Sequence, residues 1–150
     1  MTVVEGNEKY FLDTNIFVYS FDGGSPAKQS LARQLIQNAL TTQQGTISTQ
    51  IVQEFLNVAL RKFTQPMSVS EARDYMQVVL MPLCQHYPSL TSYEHALRIK
   101  SETSYSFYDA LVVAAALELD CQILWSEDLQ HGRSLHGLTI LNPFQELAAA

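Results

Sequence analysis

The segment YFLDTNIFVYSFD, residues 10–22, constrains the fold more than any other stretch of the sequence. Its apolar residues run up to Asp13 and resume at Ile16, so a carboxylate lies between two segments that both have buried character. A buried charge costs free energy unless hydrogen bonds or a cation compensate it. Asp13 is therefore expected either to cap a helix that begins at Thr14 or to belong to a site that holds a cation.

The composition predicts a single globular domain over residues 1–150. Of these residues 47% are hydrophobic, which is enough to form a core. No apolar run approaches the ~20 residues of a membrane span, and the first residues lack the basic start and apolar stretch of a signal peptide. Cys84 and Cys121 have no CxxC spacing, which is typical of free thiols in a reducing compartment. We therefore expect a cytoplasmic protein that does not contact membranes.

Short apolar segments alternate with helical patterns along the chain. Segments with the composition of buried strands are residues 10–12, 45–48, 121–125 and 138–141. Helices are predicted over residues 14–21, 26–40 and 49–63, and capping-box patterns predict further helix starts at residues 68–71, 91–94 and 106–109. Strands that alternate with helices favour an α/β layered domain around a mainly parallel sheet.

Four carboxylates stand out by their position in this pattern. Asp13 follows the first strand, and Asp128 follows the strand CQILW. Glu54 lies in the first turns of the helix after the second strand, and Asp109 lies in the first turn of the most apolar helix. Ligand sites of open parallel sheets lie beyond the carboxyl ends of the strands. The four carboxylates are therefore expected to face one another at that edge.

Such a cluster of carboxylates implies a bound cation. They cannot all be ionised close together without a counter-charge, and Mg²⁺ or Mn²⁺ prefers oxygen ligands. A metal-bound water is a strong nucleophile, and one or two metal ions can stabilise the oxygens of a phosphodiester displacement. The net charge of -6, without a basic run, argues against nucleic-acid binding by electrostatics alone but is compatible with an enzyme that meets phosphates through metal ions.

Each carboxylate also has a simpler explanation. Asp13 could be a helix N-cap, Glu54 a solvated residue of an amphipathic helix, and Asp109 part of a capping box. Asp128 could be an ordinary loop residue, and Glu127 competes with it for the same role. The joint placement of the carboxylates at strand and helix ends is what favours a common site.

The chain resembles a PIN-domain protein in four segments: FLDTN at residues 11–15, the helix with Glu54, FYDALVVAAA at residues 107–116 and SEDLQHG at residues 126–132. It is most similar to the VapC-type ribonuclease toxins of bacterial and archaeal toxin–antitoxin pairs. The resemblance spans residues 10–143 and implies a three-layer α/β/α sandwich with a mainly parallel central sheet. It also implies an endoribonuclease that depends on Mg²⁺ or Mn²⁺.

The resemblance also assigns roles to single residues. The acidic positions of the family, which would be both catalytic and metal-binding, fall on Asp13, Glu54, Asp109 and Asp128. Asn15 and Ser126 match polar positions that support the site. Trp125 stands where a smaller aliphatic residue is more usual, so packing near the site would differ. Family members are often homodimers held inactive by an antitoxin, so the resemblance implies both partners.

RNA binding by an acidic protein needs basic residues outside the acidic pocket. Arg61, Lys62 and Arg133 lie near the motif segments in the sequence, and we expect them to contact the RNA substrate.

Two other functions remain open from the sequence. A haloacid-dehalogenase-type phosphatase also begins with a strand followed by Asp, but it needs a second Asp at the position of Asn15. A catalytically inactive PIN-like module that only binds a partner would be marked by loss of one of the four acids, and all four are present.

Overall fold

A six-stranded sheet forms the centre of the molecule. The structure is a computed structural model that describes residues 8–148. In chain order the strands are β1 (Tyr10–Leu12), β2 (Gly45–Ser48), β3 (Cys84–His86), β4 (Ile123–Trp125), β5 (Ser134–Leu135) and β6 (Leu138–Leu141). They are arranged as β3-β2-β1-β4-β6-β5. β5 pairs antiparallel with β6, and the other neighbouring strands pair in parallel.

Helices connect and cover these strands. Along the described chain they are α1 (Thr14–Tyr19), α2 (Pro26–Thr42), α3 (Thr49–Arg61), α4 (Val69–Tyr75), α5 (Met81–Leu83), α6 (Leu90–Glu102), α7 (Phe107–Glu118) and α8 (Gln145–Ala148). A π-helical turn over Met76–Leu80 joins α4 to α5. The predicted three-layer α/β/α fold with a mainly parallel sheet is confirmed. No helix of residues 8–148 is long and apolar enough to cross a membrane.

The first strand lies at the centre of the core, because it pairs with β2 on one side and β4 on the other. Tyr10, Phe11 and Leu12 are each at most 1% exposed, as expected for a parallel strand that helices cover on both faces. The middle of α7 is also buried, since every residue from 110 to 116 is inaccessible to solvent or nearly so. This core helix therefore fixes the position of Asp109, which lies in its first turn.

The sequence does not predict β3 or β5. Cys84, Gln85 and His86 of β3 lack the apolar, β-branched composition of a strand, and β5 is only two residues long. Both strands lie at an edge of the sheet, where pairing with one neighbour forms a strand without full burial. Cys84 and Cys121 are both free thiols, as predicted.

One predicted helix start is wrong. α6 begins at Leu90, and its capping box joins Ser89 to Ser92 instead of using residues 91–94. Ser89 is the first hydroxyl residue after Pro88, whose ring fixes φ and limits the preceding segment. Ser89 precedes Thr91 in the chain and can cap the helix, so the helix begins directly after Ser89.

The other two predicted boxes have different outcomes. The box of residues 68–71 is confirmed, with both reciprocal hydrogen bonds present. At α7 the Ser106 hydroxyl accepts a hydrogen bond from the Asp109 amide at 3.1 Å. Among the described contacts, however, the Asp109 carboxylate does not return a bond to complete the box. That carboxylate is therefore available for other partners.

One carboxylate, that of Glu118 at the end of α7, joins the edge strand β3 to the helices. His86 Nε2 lies 2.8 Å from one of its oxygens, and the Ser92 hydroxyl donates to the same oxygen at 2.7 Å. His95 Nδ1 lies 3.0 Å from the other oxygen. Burial alone would raise the pKa of Glu118, but these three hydrogen bonds lower it below its ordinary value.

We expect Glu118→Gln to destabilise the fold at neutral pH by about 1 kcal/mol, because an amide makes weaker hydrogen bonds and solvent screens part of the lost charge. A carboxyl whose pKa is lowered by folding stabilises the fold above its ordinary pKa, and this contribution is lost as pH falls through the folded-state pKa. The difference between wild type and variant should therefore disappear as pH falls through the folded-state pKa of Glu118, which lies below its ordinary value. Urea unfolding at several pH values measures it.

The control is Glu94→Gln on the solvent face of α6, where the carboxylate makes an exposed pair with Arg98 at 4.0 Å. It should change the free energy of unfolding by less than about 0.5 kcal/mol. Equal losses in the two variants, or a loss at Glu118 that does not depend on pH, would contradict this role of Glu118.

Candidate active site

Asp13 lies where the central strand β1 becomes helix α1. Its backbone amide still donates to Trp125 O at 3.0 Å, as in a strand pair. One of its carboxylate oxygens accepts from the Thr14 amide at 2.8 Å, and the other accepts from the Ser126 hydroxyl at 2.6 Å. Asp13 is only 9% exposed. It therefore caps a helix and also joins the ends of two neighbouring strands.

The loop after β4 brings Asp128 to the same edge of the sheet. Asn15 Nδ2 donates to Asp128 Oδ2 at 3.1 Å. The Glu127 amide donates to Asn15 Oδ1 at 3.4 Å. Asn15 thus connects this loop to the first turn of α1, and Asp128 remains exposed to solvent.

Glu54 reaches Asp13 from the other side, because α3 follows β2. Thr14 Oγ1 and Gln50 Nε2 both donate to Glu54 Oε1, each at 3.3 Å. Gln50 Nε2 also donates to Tyr108 O at 3.1 Å. One buried amide therefore connects α3 to the first turn of α7, where Asp109 follows Tyr108.

The carboxylates affect one another's ionisation. Burial raises the pKa of Asp13 to about 6; its two hydrogen bonds oppose this shift, and the charges of Asp128 and Asp109 add to it. Burial likewise raises the pKa of Glu54 to about 7, with a further contribution from the charges of Asp13 and Asp109. Asp13 thus lies within electrostatic range of the other three carboxylates.

These carboxylates have no basic counterpart in the described part of the chain, where no salt bridge joins any of them to Lys, Arg or His. Their mutual repulsion is therefore relieved by protonation or by a ligand of positive charge.

The arrangement fits a hydrated, oxygen-preferring cation. Among residues 8–148, no three His, Cys, Asp or Glu side chains are close enough to form a complete metal site. Mg²⁺ keeps several waters and is usually bound by one or two carboxylates, so it does not need such a cage. Gln50 Oε1 and Ser48 Oγ are buried without a hydrogen-bond partner among the described residues. Both lie where β2 meets α3, and waters of a bound ion could donate to them.

Glu127 does not replace Asp128 in this arrangement. Its carboxylate accepts a hydrogen bond from the Tyr19 hydroxyl at 2.6 Å and pairs with Lys28 Nζ at 2.8 Å. It is thus engaged with α1 and α2, whereas the carboxylate of Asp128 contacts Asn15. These contacts favour Asp128 over Glu127, and the role of Asp128 in the pocket stays a prediction.

The basic residues predicted to contact RNA lie in two places. Arg61 ends α3 and Lys62 follows it, about 10 Å along the helix axis from Glu54. Lys62 lines a separate cavity of about 890 Å³ between the loops that follow α1 and α3. The Arg133 guanidinium lies 5.3 Å from the ring centre of Tyr105, shortly before α7. RNA contact stays a prediction for all three.

Sequence reasoning missed the residues that hold the carboxylates in place. Gln50 lies four residues before Glu54 and hence on the same face of α3. Thr14 lies between Asp13 and Asn15 within the motif FLDTN. Helical spacing could have identified Gln50, whereas the contact of Thr14 with Glu54 spans 40 residues and depends on the fold.

The sequence matches the PIN domain model over residues 10–133, a range that includes all four carboxylates. The chain belongs to the PIN domain family. The resemblance carried by its motifs is thereby confirmed. Among curated proteins, none matches the sequence significantly.

Solved structures of toxin–antitoxin proteins share the fold of this PIN domain. A toxin–antitoxin complex from Klebsiella pneumoniae aligns with a TM-score of 0.65 and 17% identity, covering 90% of this chain and 98% of that chain. DNA-bound VapBC from Salmonella typhimurium aligns with a TM-score of 0.63 and 18% identity, covering 89% and 96%. VapC20 of Mycobacterium tuberculosis, a toxin that cleaves the sarcin–ricin loop, aligns with a TM-score of 0.58 and 19% identity, covering 80% and 92%.

Membership of the PIN family leaves the phosphatase alternative without support. The second Asp that a haloacid-dehalogenase-type enzyme needs is Asn15 here, and this side chain bonds Asp128 instead.

We expect the metal-free PIN domain to lose stability as pH rises from about 5 to about 8. Asp13 and Glu54 have ordinary pKa values of 3.8 and 4.5, which folding raises to about 6 and about 7. The folded protein therefore binds more protons than the unfolded chain in this window, so its stability falls as pH rises. Asp13→Asn removes one ionisation and should reduce the loss at pH 8 by about 1–3 kcal/mol. Urea unfolding in EDTA measures both profiles.

Asp74→Asn, on the exposed surface of α4, is the matched control and should follow the wild-type profile. A wild-type stability that is constant or increases across this pH range would show that the two acids are not strained by burial and charge.

Proposed function

We propose that this PIN domain is an endoribonuclease that depends on Mg²⁺ or Mn²⁺ and is the toxin of a toxin–antitoxin pair. The observation that supports the proposal is that buried Asp13 feels the charges of Asp109 and Asp128, and Glu54 feels those of Asp13 and Asp109, without a salt bridge to any of the four among the described residues. Crowded carboxylates of this kind fit a hard divalent cation. The PIN family match over residues 10–133 supports the same reading.

In this proposal the four acids have different roles. Asp13 and Asp109 supply most of the metal binding, and Glu54 and Asp128 complete the pocket and position water. The ion, when bound, would activate water and stabilise charge on the phosphate oxygens. Because Glu54 Oε1 accepts the hydrogen bonds of Thr14 and Gln50, its other oxygen is the one placed to accept a proton from the attacking water.

Two polar side chains orient the acids. The Ser126 hydroxyl holds one oxygen of Asp13 at 2.6 Å, and the Asn15 amide holds one oxygen of Asp128 at 3.1 Å. Fixing a carboxylate before the ligand arrives lowers the entropy lost on binding. Ser126 and Asn15 are therefore proposed as supporting residues of the pocket.

RNA is the proposed substrate. The structural similarity to VapC20, which cleaves the sarcin–ricin loop, supports RNA over other phosphodiesters. Arg61, Lys62 and Arg133 are the residues we propose to contact its phosphates. Because the net charge of the protein is -6, these few basic residues and the bound metal have to offset its repulsion of the negatively charged RNA backbone.

An antitoxin is the proposed regulatory partner. Two of the similar structures, from Klebsiella pneumoniae and Salmonella typhimurium, are toxin–antitoxin assemblies. We also propose a homodimer in the cytoplasm, as the resemblance and composition of the sequence predict.

We expect purified wild-type protein to cut total cellular RNA into discrete fragments with Mg²⁺ or Mn²⁺ and not with EDTA. Asp109→Asn should reduce cleavage by about 100-fold or more, because it removes a charged ligand of the ion. Asp120→Asn makes the same chemical change just beyond the other end of α7, where the backbone φ of 59° suits Asn. This control should cleave like wild type.

Equal cleavage by wild type and Asp109→Asn, or cleavage in EDTA, would contradict the proposed mechanism. A wild type that neither cleaves RNA nor binds Mn²⁺ at millimolar concentration would favour the inactive partner-binding module.

A further inference from the structure

Beside the four acids, three side chains form a second polar cluster that contacts none of them directly. Lys28 Nζ lies 2.8 Å from Glu127 Oε2 and 3.3 Å from the Tyr19 hydroxyl. The Tyr19 hydroxyl donates to the other oxygen of Glu127 at 2.6 Å. We call Tyr19, Lys28 and Glu127 the clamp.

Two aromatic rings cover part of the clamp. The Lys28 ammonium lies 4.7 Å from the ring centre of Tyr19 and 5.5 Å from that of Phe144, and these two rings pack with 4.9 Å between their centres. The side chains of Lys28 and Glu127 are 33% and 25% exposed. An ion pair with a third hydrogen-bond partner and aromatic neighbours is stronger than an exposed surface pair.

Through these contacts the clamp joins four parts of the chain. Tyr19 ends α1, Lys28 lies in the first turn of α2, and Phe144 follows β6. Glu127 lies in the loop after β4. The loop after β4 is therefore held to the helices by a side chain that is not one of the four acids.

Both chain neighbours of Glu127 belong to the proposed pocket. Ser126 donates to Asp13, and Asp128 accepts from Asn15. The Glu127 amide itself donates to Asn15 Oδ1 at 3.4 Å. Because consecutive Cα atoms are about 3.8 Å apart, a shift of the Glu127 backbone also shifts both neighbours.

We propose that the clamp is a positioning device that sets the metal affinity of the pocket. By fixing the carboxylate of Glu127, it keeps the two neighbouring residues in their contacts with Asp13 and Asn15. This inference rests on the proposed function, because the affinity in question is that for the catalytic ion.

The decisive variant is the double substitution Lys28→Met/Glu127→Gln, which removes the ion pair without changing the net charge. Met retains most of the apolar stem of Lys28, and Gln retains the shape of Glu127. We expect the dissociation constant for Mn²⁺, measured by calorimetry on the whole protein, to rise about tenfold, at the low end of losses seen for residues that orient metal ligands. Lys28→Arg keeps the charge and donors and should stay within about twofold of wild type.

The single variants separate positioning from simple charge. If the clamp acted only through its charges, Lys28→Met would tighten Mn²⁺ binding, Glu127→Gln would weaken it, and the double variant would match wild type. If the clamp positions the loop, both single variants and the double variant weaken binding, and their effects are not additive. The charge-only pattern would overturn the proposal.

Two further measurements complete the test. Thermal unfolding in EDTA reports stability, with Arg98→Met at the exposed pair of α6 as the control. A double variant that unfolds earlier but binds Mn²⁺ like wild type would show that the clamp is only structural. If wild type binds Mn²⁺ no better than Asp109→Asn, the proposed function itself fails and this inference fails with it.

Discussion

The site depends on one buried carboxylate at the end of the central strand. Asp13 can be buried because the Thr14 amide and the Ser126 hydroxyl each donate a hydrogen bond to one of its carboxylate oxygens. The first bond starts α1, and the second locks the end of β1 to the end of its parallel neighbour β4. The other three acids are placed relative to this point, from β2 through α3, from α7 and from the loop after β4.

Holding these acids together requires stability from elsewhere. Burial and like charge both disfavour ionisation of Asp13 and Glu54, so the pocket in its ionised, metal-free form opposes folding. The buried strand β1 and the seven buried residues 110–116 of α7 supply apolar contacts that offset this repulsion. Sites that bind charged ligands commonly carry such local strain.

The parts of the fold that the sequence predicts are those with strong local patterns. The apolar runs of β1 and α7 and the helical spacing of α3 identify these elements without long-range information. β3 and the start of α6 are different, because Cys84–His86 becomes a strand only by pairing with β2, and Ser89 competes with Thr91 as the cap. Local composition does not resolve such cases.

In the candidate site, too, local patterns predict some features and not others. The sequence predicts that each of the four acids lies at a strand end or in the first turns of a helix, because local patterns identify these ends. The partners of Glu127 do not, since Lys28 lies 99 residues away in the chain and its contact depends on how α2 packs beside the loop. The contacts that favour Asp128 over Glu127 are therefore not visible in the sequence.

The distance along the chain between Asp13 and Ser126 has a consequence during synthesis. The two residues are 113 positions apart, which corresponds to roughly 6–23 s of translation at about 5–20 residues per second. Until β4 emerges, Asp13 lacks both the Trp125 carbonyl to which its amide donates and the Ser126 hydroxyl. A nascent chain, or one that ends before residue 126, therefore carries Asp13, Glu54 and Asp109 without the hydroxyl that holds Asp13.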